Sequence, residues 1–285
     1  MNADSATVHL ADWIDLPSLI TPASVDLVYA DPPFGTGAAK RTPPGAARAG
    51  RTVSATYEDG LGDVEAWLAW IEPRLRATVP LLKPTGSILL HVDWRTSHRA
   101  RVLLDEVLGA ERFVNHLVWS YGLGGSSPRR FARKHDDILF YCVDPERYWF
   151  EPARVPATSR RMAGQMKKAT DVIEIPAPEP ADVIRIPALN NMASERTGYP
   201  TQKPLALLEL LVRACCPPGG LVVDPCCGSG TTLIAAARAG QRALGCDVSE
   251  EAVRLSRERM GAAEDPTLAP RHDEHQNRQR RSPAV

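Results

Sequence analysis

Leu221-Val-Val-Asp-Pro-Cys-Cys-Gly-Ser-Gly-Thr-Thr232 opens on a short apolar run, breaks at a proline and passes through two glycines into good helix formers. Those residues read as a strand, a glycine-rich turn and the start of a helix. The helix is expected from about Thr231 to Ala239, after which Arg242-Ala-Leu-Gly-Cys-Asp247 returns as a second strand ending in an acid. The layout is that of a nucleotide-binding βαβ unit, which places the chain in the α/β class. Gly228 and Gly230 are expected to let the backbone approach a ligand closely. Asp247, seventeen residues after Gly230, is placed to accept hydrogen bonds from ribose hydroxyls. A dinucleotide turn needs a third glycine where Leu233 stands, and a Walker phosphate loop needs a lysine that this stretch lacks. What remains is a ligand with ribose and no pyrophosphate, a description that S-adenosylmethionine fits.

Upstream, Val25-Asp-Leu-Val-Tyr-Ala30 is a second buried-strand candidate, and Asp31-Pro-Pro-Phe34 stops it because two prolines continue neither strand nor helix. Asp31 is thereby left at the carboxyl end of a strand, where open α/β sheets bind ligands. Proline has a carbonyl but no N–H, so Asp31 and Pro32 form a rim of acceptors suited to a donor such as an exocyclic amino group. Phe34 offers a flat face for a planar ring. Alone, Asp-Pro-Pro reads first as an ordinary strand end with a turn.

The other elements follow from periodicity. Val64, Leu68, Ile71, Leu75, Val79 and Leu82 share a helical face, with a kink or break expected at Pro73. Lys83 to Gly86 reads as a turn, Ser87 to Asp93 as a strand carrying His91 as a satisfied core histidine, and Ser97 to Leu108 as a helix ended by Gly109. Asn115 to Tyr121 and Asp137 to Val143 read as an antiparallel hairpin with a charged tip. Proline recurs and periodicity fades from Glu151 to Gly198, the mark of an insert. Thr201-Gln-Lys-Pro204 opens a helix whose apolar face is Leu205, Leu208, Leu211, Val212 and Cys215, and a last helix is expected from Glu250 to Met260.

With 285 residues, 44% apolar and 24% charged, the chain suits one large globular domain. Lysines plus arginines equal acids at 34 each, so any nucleic-acid affinity must come from local clusters. Three are present: Lys40, Arg41, Arg48 and Arg51; Arg129, Arg130, Arg133 and Lys134 around Phe131; and Arg160, Arg161, Lys167 and Lys168 beside Arg154. Each suits a phosphate backbone; the first is equally readable as a solvated loop, the second as the charged tip of a hairpin, and the third as part of a small recognition subdomain or a poorly ordered linker. The six cysteines show no zinc-ligand spacing, so reduced, packed thiols are expected. No signal peptide or apolar run of spanning length is visible, and a soluble cytoplasmic protein is the expectation.

Asp31-Pro-Pro-Phe34 followed far downstream by Asp224-Pro-Cys-Cys-Gly-Ser-Gly-Thr-Thr232 resembles the beta group of bacterial DNA methyltransferases, which modify exocyclic amino groups. Thr201-Gln-Lys-Pro204 and Lys134-His-Asp-Asp-Ile-Leu-Phe-Tyr141 match the same pattern, so the likeness runs from about Val8 to Met260. The resemblance implies a Rossmann-like methyltransferase fold with a mixed, mostly parallel sheet and a circularly permuted motif order. It divides the chain into a catalytic part (1–150), a target-recognition insert (151–198), a cofactor-binding part (199–263) and a disordered tail (264–285).

By the same resemblance, Asp224, Cys226, Gly228, Ser229, Gly230 and Thr231 hold the methionine part of S-adenosylmethionine, Asp247 its ribose, and Thr201 with Lys203 its carboxylate. Only a helix and a polar tail follow Asp247, so the strand that normally carries the adenine contact must come from elsewhere. Val8 to Asp12 can fill that place, which assigns Asp12 to the adenine. Cys226 stands where the family usually has an aromatic. Asp31 and the Pro32 carbonyl would accept from the target amino group, with Pro33 and Phe34 completing the catalytic tetrapeptide and Phe34 stacking on the base. Family members with Asp at the first place mostly modify adenine, whereas cytosine enzymes usually carry Ser there, so adenine leads. A cytosine-amino enzyme and a catalytically silent DNA-binding homologue are the alternatives. The implied partners are double-stranded DNA bound by the three basic clusters, a second copy of the chain, and a cognate restriction endonuclease.

Overall fold

The computed structural model of the chain describes residues 6–34, 39–41, 56–58, 61–121, 128–156, 165–168, 170–173, 197, 199 and 201–264. In chain order the strands are β1 (Ala6–Leu10), β2 (Val25–Ala30), β3 (Ala39–Arg41), β4 (Thr56–Glu58), β5 (Leu82–Val92), β6 (Phe113–Ser120), β7 (His135–Cys142), β8 (Arg154–Pro156), β9 (Met166–Lys168), β10 (Val172–Ile173), β11 (Leu221–Asp224) and β12 (Arg242–Asp247). The α-helices are α1 (Leu16–Leu19), α2 (Val64–Thr78), α3 (Ser97–Leu108), α4 (Leu205–Cys215), α5 (Thr231–Arg238) and α6 (Glu250–Glu264).

Eight strands make one sheet in the order β1-β12-β11-β2-β5-β7-β6-β10. β7 runs antiparallel to both its neighbours, and every other pair is parallel. All six residues of β2 are buried, because helices cover both faces of the sheet. From Leu27 on, their side chains alternate with the strand period of two: Leu27 and Tyr29 join the core under α4 and α5, Val28 and Ala30 the core under α2 and α3, and Val25 falls with the latter pair because the register shifts between Val25 and Leu27. From β11 the chain winds outward through α5 to β12, and from β2 it winds the other way through α2 to β5. The adjacent strands β11 and β2 therefore flank a switch point, and a crevice opens beyond their carboxyl ends. Asp224 and Asp31 are the residues found there.

β1 pairs in parallel with β12 from Ala6↔Ala243 to Leu10↔Asp247, so the segment before Asp12 lies beside the strand that ends at Asp247, as expected. Pro73 does not break its helix. α2 runs through it, capped at its start by the Asp63 carboxylate on Ala66 N (2.9 Å). Pro73 and Ala69, whose carbonyl loses its helical partner, are both on the solvent-facing side, while Trp67, Ile71, Leu75 and Thr78 bury the opposite face. Lys83 to Gly86 proves to be part of β5, but Val25 faces Leu82 and Leu27 already faces Ser87, so the four residues bulge out of register. In α4, Leu207 is buried in place of the expected Leu205.

The basic stretch after Phe34 is bounded by a small ladder, Ala39↔Glu58 to Arg41↔Thr56. Within the expected insert, β8 pairs with β9, and β10 joins the edge of the main sheet beside β6. Most of 174–198, and all of the tail from 265, lie outside the described residues. Among the described residues no helix is long and apolar enough to cross a membrane. All six cysteines are free thiols, five of them buried.

Candidate active site

A cavity of about 360 Å³ occupies the switch-point crevice, within the range of roughly 300–1,000 Å³ usual for small-molecule sites. Its walls include Asp31, Pro32, Pro33, Phe34, Asp12, Thr201, Lys203, Asp224, Cys226, Gly228, Ser229, Thr231 and Asp247. The two motifs, nearly two hundred residues apart in sequence, meet because β2 and β11 are hydrogen-bonded neighbours. Of the residues expected to hold the cofactor, Gly230 alone is not on the wall.

The half of the cavity around Asp31 is held from three sides. Buried Trp67 donates its indole N–H to the Pro33 carbonyl (2.6 Å), which ties the tetrapeptide to α2. The Lys203 ammonium forms an ion pair with Asp31 Oδ2 and lies 5.1 Å from the Phe34 ring centroid. Lys203, expected at a cofactor carboxylate, pairs with Asp31 here. Behind Phe34 sits His91, its ring 6.2 Å away.

His91 is fully buried between Tyr29 Oη on Nδ1 (2.7 Å) and Asp136 Oδ2 on Nε2 (3.3 Å). Burial, then the charges of Asp31, Asp224 and Asp136, push the Tyr29 phenol well up, so its O–H donates to Nδ1 and the imidazole proton is left for Asp136. Burial raises the Asp136 carboxyl too, but the bonds from His91 and Tyr121, with Lys203 nearby, outweigh it and bring the net shift below the usual value. His91 is the satisfied core histidine that the sequence pointed to.

The other half is built on the turn after β11. Gly228 N donates to Asp247 Oδ2 (2.9 Å) and Ser249 N to Asp247 Oδ1 (2.9 Å), and burial raises the Asp247 carboxyl against these bonds. Asp224 is buried more deeply. Despite bonds from Thr232 and Cys226 N, burial and the charges of Asp31 and Asp247 push it up to about 7. The two glycines serve the chain's own packing as well as any ligand. A Cβ on Gly228 (φ +49°) would stand 3.0 Å from the Tyr199 ring, and one on Gly230 (φ +76°) 2.8 Å from Ser256 Oγ. For Gly230 the structure shows a packing reason for glycine: its missing side chain makes room for α6. That helix also grips the turn through Ser256 Oγ on the Gly228 carbonyl (2.8 Å) and through Arg259 on Ser229 and Thr231.

Asp12 follows β1 at the far wall. Arg74 forks onto its two oxygens (2.9 and 2.7 Å) and stacks 4.1 Å over Trp70, another wall residue. Burial alone would raise the Asp12 carboxyl, but the Arg74 fork and the Ile14 N–H hold it below the usual range. Cys226, where an aromatic was the family habit, is half-buried on the wall with its thiol pushed well up by burial and by Asp247 and Asp224, hence neutral.

Of the basic clusters, Arg129, Arg130, Arg133 and Lys134 are exposed, as is Lys168. Lys40, Arg41 and Lys167 belong to the described backbone of β3 and β9, and Arg48, Arg51, Arg160 and Arg161 lie outside the described residues. Trp67, Trp70, Arg74, Tyr199, Ser256 and Arg259 are site residues that sequence reasoning missed. Only Tyr199, two residues before Thr201, lay close enough to a motif to be flagged.

Set beside known proteins, a family model described as DNA methylase matches residues 25–258. The type II methyltransferase M.ScaI of Streptomyces caespitosus is 25% identical over 213 residues, 72% of this chain and 70% of its own. The DNA adenine methyltransferase YhdJ of Escherichia coli (strain K12) is 25% identical over 252 residues, 84% and 77%. Among solved structures, the M1.HpyAVI–SAM complex superposes with a TM-score of 0.57 at 18% identity, covering 90% of this chain and 98% of that one. The PvuII DNA methyltransferase (cytosine-N4-specific) gives 0.59 at 16% identity, covering 90% and 86%. The fold is therefore the Rossmann-like methyltransferase fold.

Proposed function

The chain belongs to the DNA methylase family, and from that membership we propose that it moves the methyl group of S-adenosylmethionine to the exocyclic amino group of adenine in double-stranded DNA. The observation that carries this reading is that Asp31 and Pro32 face the glycine turn and Asp247 across one cleft. The residues suit the cofactor. Asp247, held by backbone N–H groups that include those of Gly228 and Ser249, has further lone pairs for a ribose diol, and Asp12, one strand over, is the acid for the adenine. Asp224 and the turn from Cys226 to Thr231 are the proposed partners of the methionine part, with Thr201 at its carboxylate. The bound cofactor supplies a methyl group already made electrophilic by its sulfonium.

The protein's task is then positioning. The target base must leave the duplex stack to reach a cleft of this depth. Phe34 stacks on it, while the Asp31 oxygen not taken by Lys203 and the Pro32 carbonyl accept its two amino hydrogens. Those bonds draw the nitrogen lone pair out of ring conjugation and aim it across the cleft. As the nitrogen–methyl bond forms and the methyl–sulfur bond breaks, the nitrogen turns cationic and must shed a proton. Asp31 is the adjoining acceptor, and a carboxylate facing a cationic donor makes the strong, charge-assisted kind of hydrogen bond. Lys203 fixes the orientation of Asp31 in this scheme.

Adenine is preferred to cytosine on the acid at position 31, since both bases present an amino donor that fits the rim. Duplex DNA methylated by the protein and digested to nucleosides should yield methyladenine by mass spectrometry. Amino-methylated cytosine as the main product would replace the base assignment, and no methylated nucleoside would leave a silent homologue. Relatives named as type II methyltransferases support a restriction-modification setting, with a cognate endonuclease and a second copy of the chain as proposed partners.

A further inference from the structure

The loop joining β6 to β7 ends in Pro128-Arg-Arg-Phe-Ala-Arg-Lys134, four cations around one aromatic and no acid. Phe131 is 97% exposed, ahead of every other large apolar side chain among the described residues. Single apolar residues on a surface are ordinary. Position distinguishes this one. The loop is rooted in the wall behind the target pocket: Tyr121 N bonds the Lys134 carbonyl (2.8 Å), and Tyr121 Oη donates to Asp136 (2.9 Å). Asp136 in turn holds His91, whose ring lies behind Phe34. A second tie is Arg133, stacked 3.3 Å over Trp94 just past the end of β5, the neighbour of β2. A rigid root beside the pocket thus carries an exposed ring amid exposed cations.

We propose that Phe131 is a wedge that enters the DNA duplex and fills the stack as the target base turns out toward Asp31, with Arg129, Arg130, Arg133 and Lys134 on the flanking phosphates. The inference rests on the reading of the chain as a DNA methyltransferase. Apolar side chains inserted between base steps unstack them, and an aromatic face restores part of the stacking lost with the extruded base. Cations around the wedge bring it to the backbone without selecting sequence.

The test begins with wild-type protein, labelled S-adenosylmethionine and DNA from a host lacking this modification. Sequencing with modified bases then gives the target site, whereas no incorporation overturns both the enzyme reading and the wedge. Phe131→Ala and Phe131→Trp are next compared with wild type on a duplex carrying that site, either fully paired or with an abasic residue opposite the target. The abasic partner removes the pairing that extrusion must break, so it bypasses a wedge. Phe131→Ala should lose roughly 10- to 100-fold in kcat/KM on the paired duplex, recover to within about threefold of wild type on the abasic one, and keep its Tm and cofactor affinity. Phe131→Trp should stay near wild type on both. An equal loss on the two duplexes marks a mere contact and overturns the proposal, as does no loss on the paired one or a change in oligomeric mass.

Discussion

Asp31 and Asp224 stand at the ends of neighbouring strands, yet one pairs with a cation while the other is buried near two carboxylates. Asp31 meets the Lys203 ammonium, both side chains being largely buried. Replacing Asp31 by Ala should therefore cost at least roughly 10²- to 10³-fold in kcat, the scale for losing one reacting-centre hydrogen-bond partner, while cofactor Kd from calorimetry stays within about threefold. Lys203→Ala should follow the same pattern in milder form. Weakened cofactor binding in Lys203→Ala would return that lysine to the cofactor carboxylate. Asp224, buried among carboxylates, ionises near 7 in the folded chain against an ordinary 3.8. Between those values the folded state keeps a proton that the unfolded state has lost, so stability falls as pH climbs through the window and levels off above it. Asp224→Asn has nothing to ionise. Its unfolding free energy relative to wild type should rise by on the order of 2–3 kcal/mol from pH 5 to pH 8, and a difference that urea titrations find flat with pH would remove the buried, uncompensated carboxylate from the account.

The turn between β11 and α5 works only with α6 laid against it. Gly230→Ala combines a left-handed backbone with a Cβ 2.8 Å from Ser256 Oγ, and a cost of about 2–4 kcal/mol is expected. Ser256→Gly in the same chain should recover the steric share, leaving the strain at φ +76°, so a double-mutant cycle by chemical denaturation should show clear coupling. Strictly additive losses would mean that the helix gives way. This element shows what a sequence discloses. Strand, turn and helix were legible from Leu221 to Asp247 because period, proline and glycine are local signals. The seat of β1 beside β12 was legible through the family resemblance, which called for a strand ending in an acid beside Asp247 and left Val8 to Asp12 to supply it. The grip of Arg259 on Ser229, the Arg74 fork on Asp12 and the Lys203–Asp31 pair span 30, 62 and 172 residues, and no local pattern announces them. Pro73 misled for a related reason: whether a proline breaks a helix depends on whether its orphaned carbonyl faces water, which only the packed structure decides.

Across the whole molecule the formal charge is zero, yet the cations of the β6–β7 loop project from the end of the sheet that holds the cleft, with no acid among them. Of the acids elsewhere, Asp26 is buried against Lys83 and Leu221 N, and half-buried Asp105 is held by Arg101 and the Tyr141 hydroxyl. A duplex should then bind by releasing counterions, with log affinity falling against log salt by roughly 0.9 for each phosphate met. Reversing Arg129, Arg130 and Arg133 to Glu should weaken binding at low salt and flatten that slope by about one for each lost contact. Fluorescence anisotropy across a salt series measures both quantities. An unchanged slope with reduced affinity would show that the loop disturbs the protein without meeting phosphates, and an unchanged affinity at low salt would move the DNA path to another face. The sheet's own geometry argues against that second outcome, because the cleft opens only beyond the carboxyl ends of β11 and β2, and a base reaching Asp31 must arrive from the side on which this loop stands.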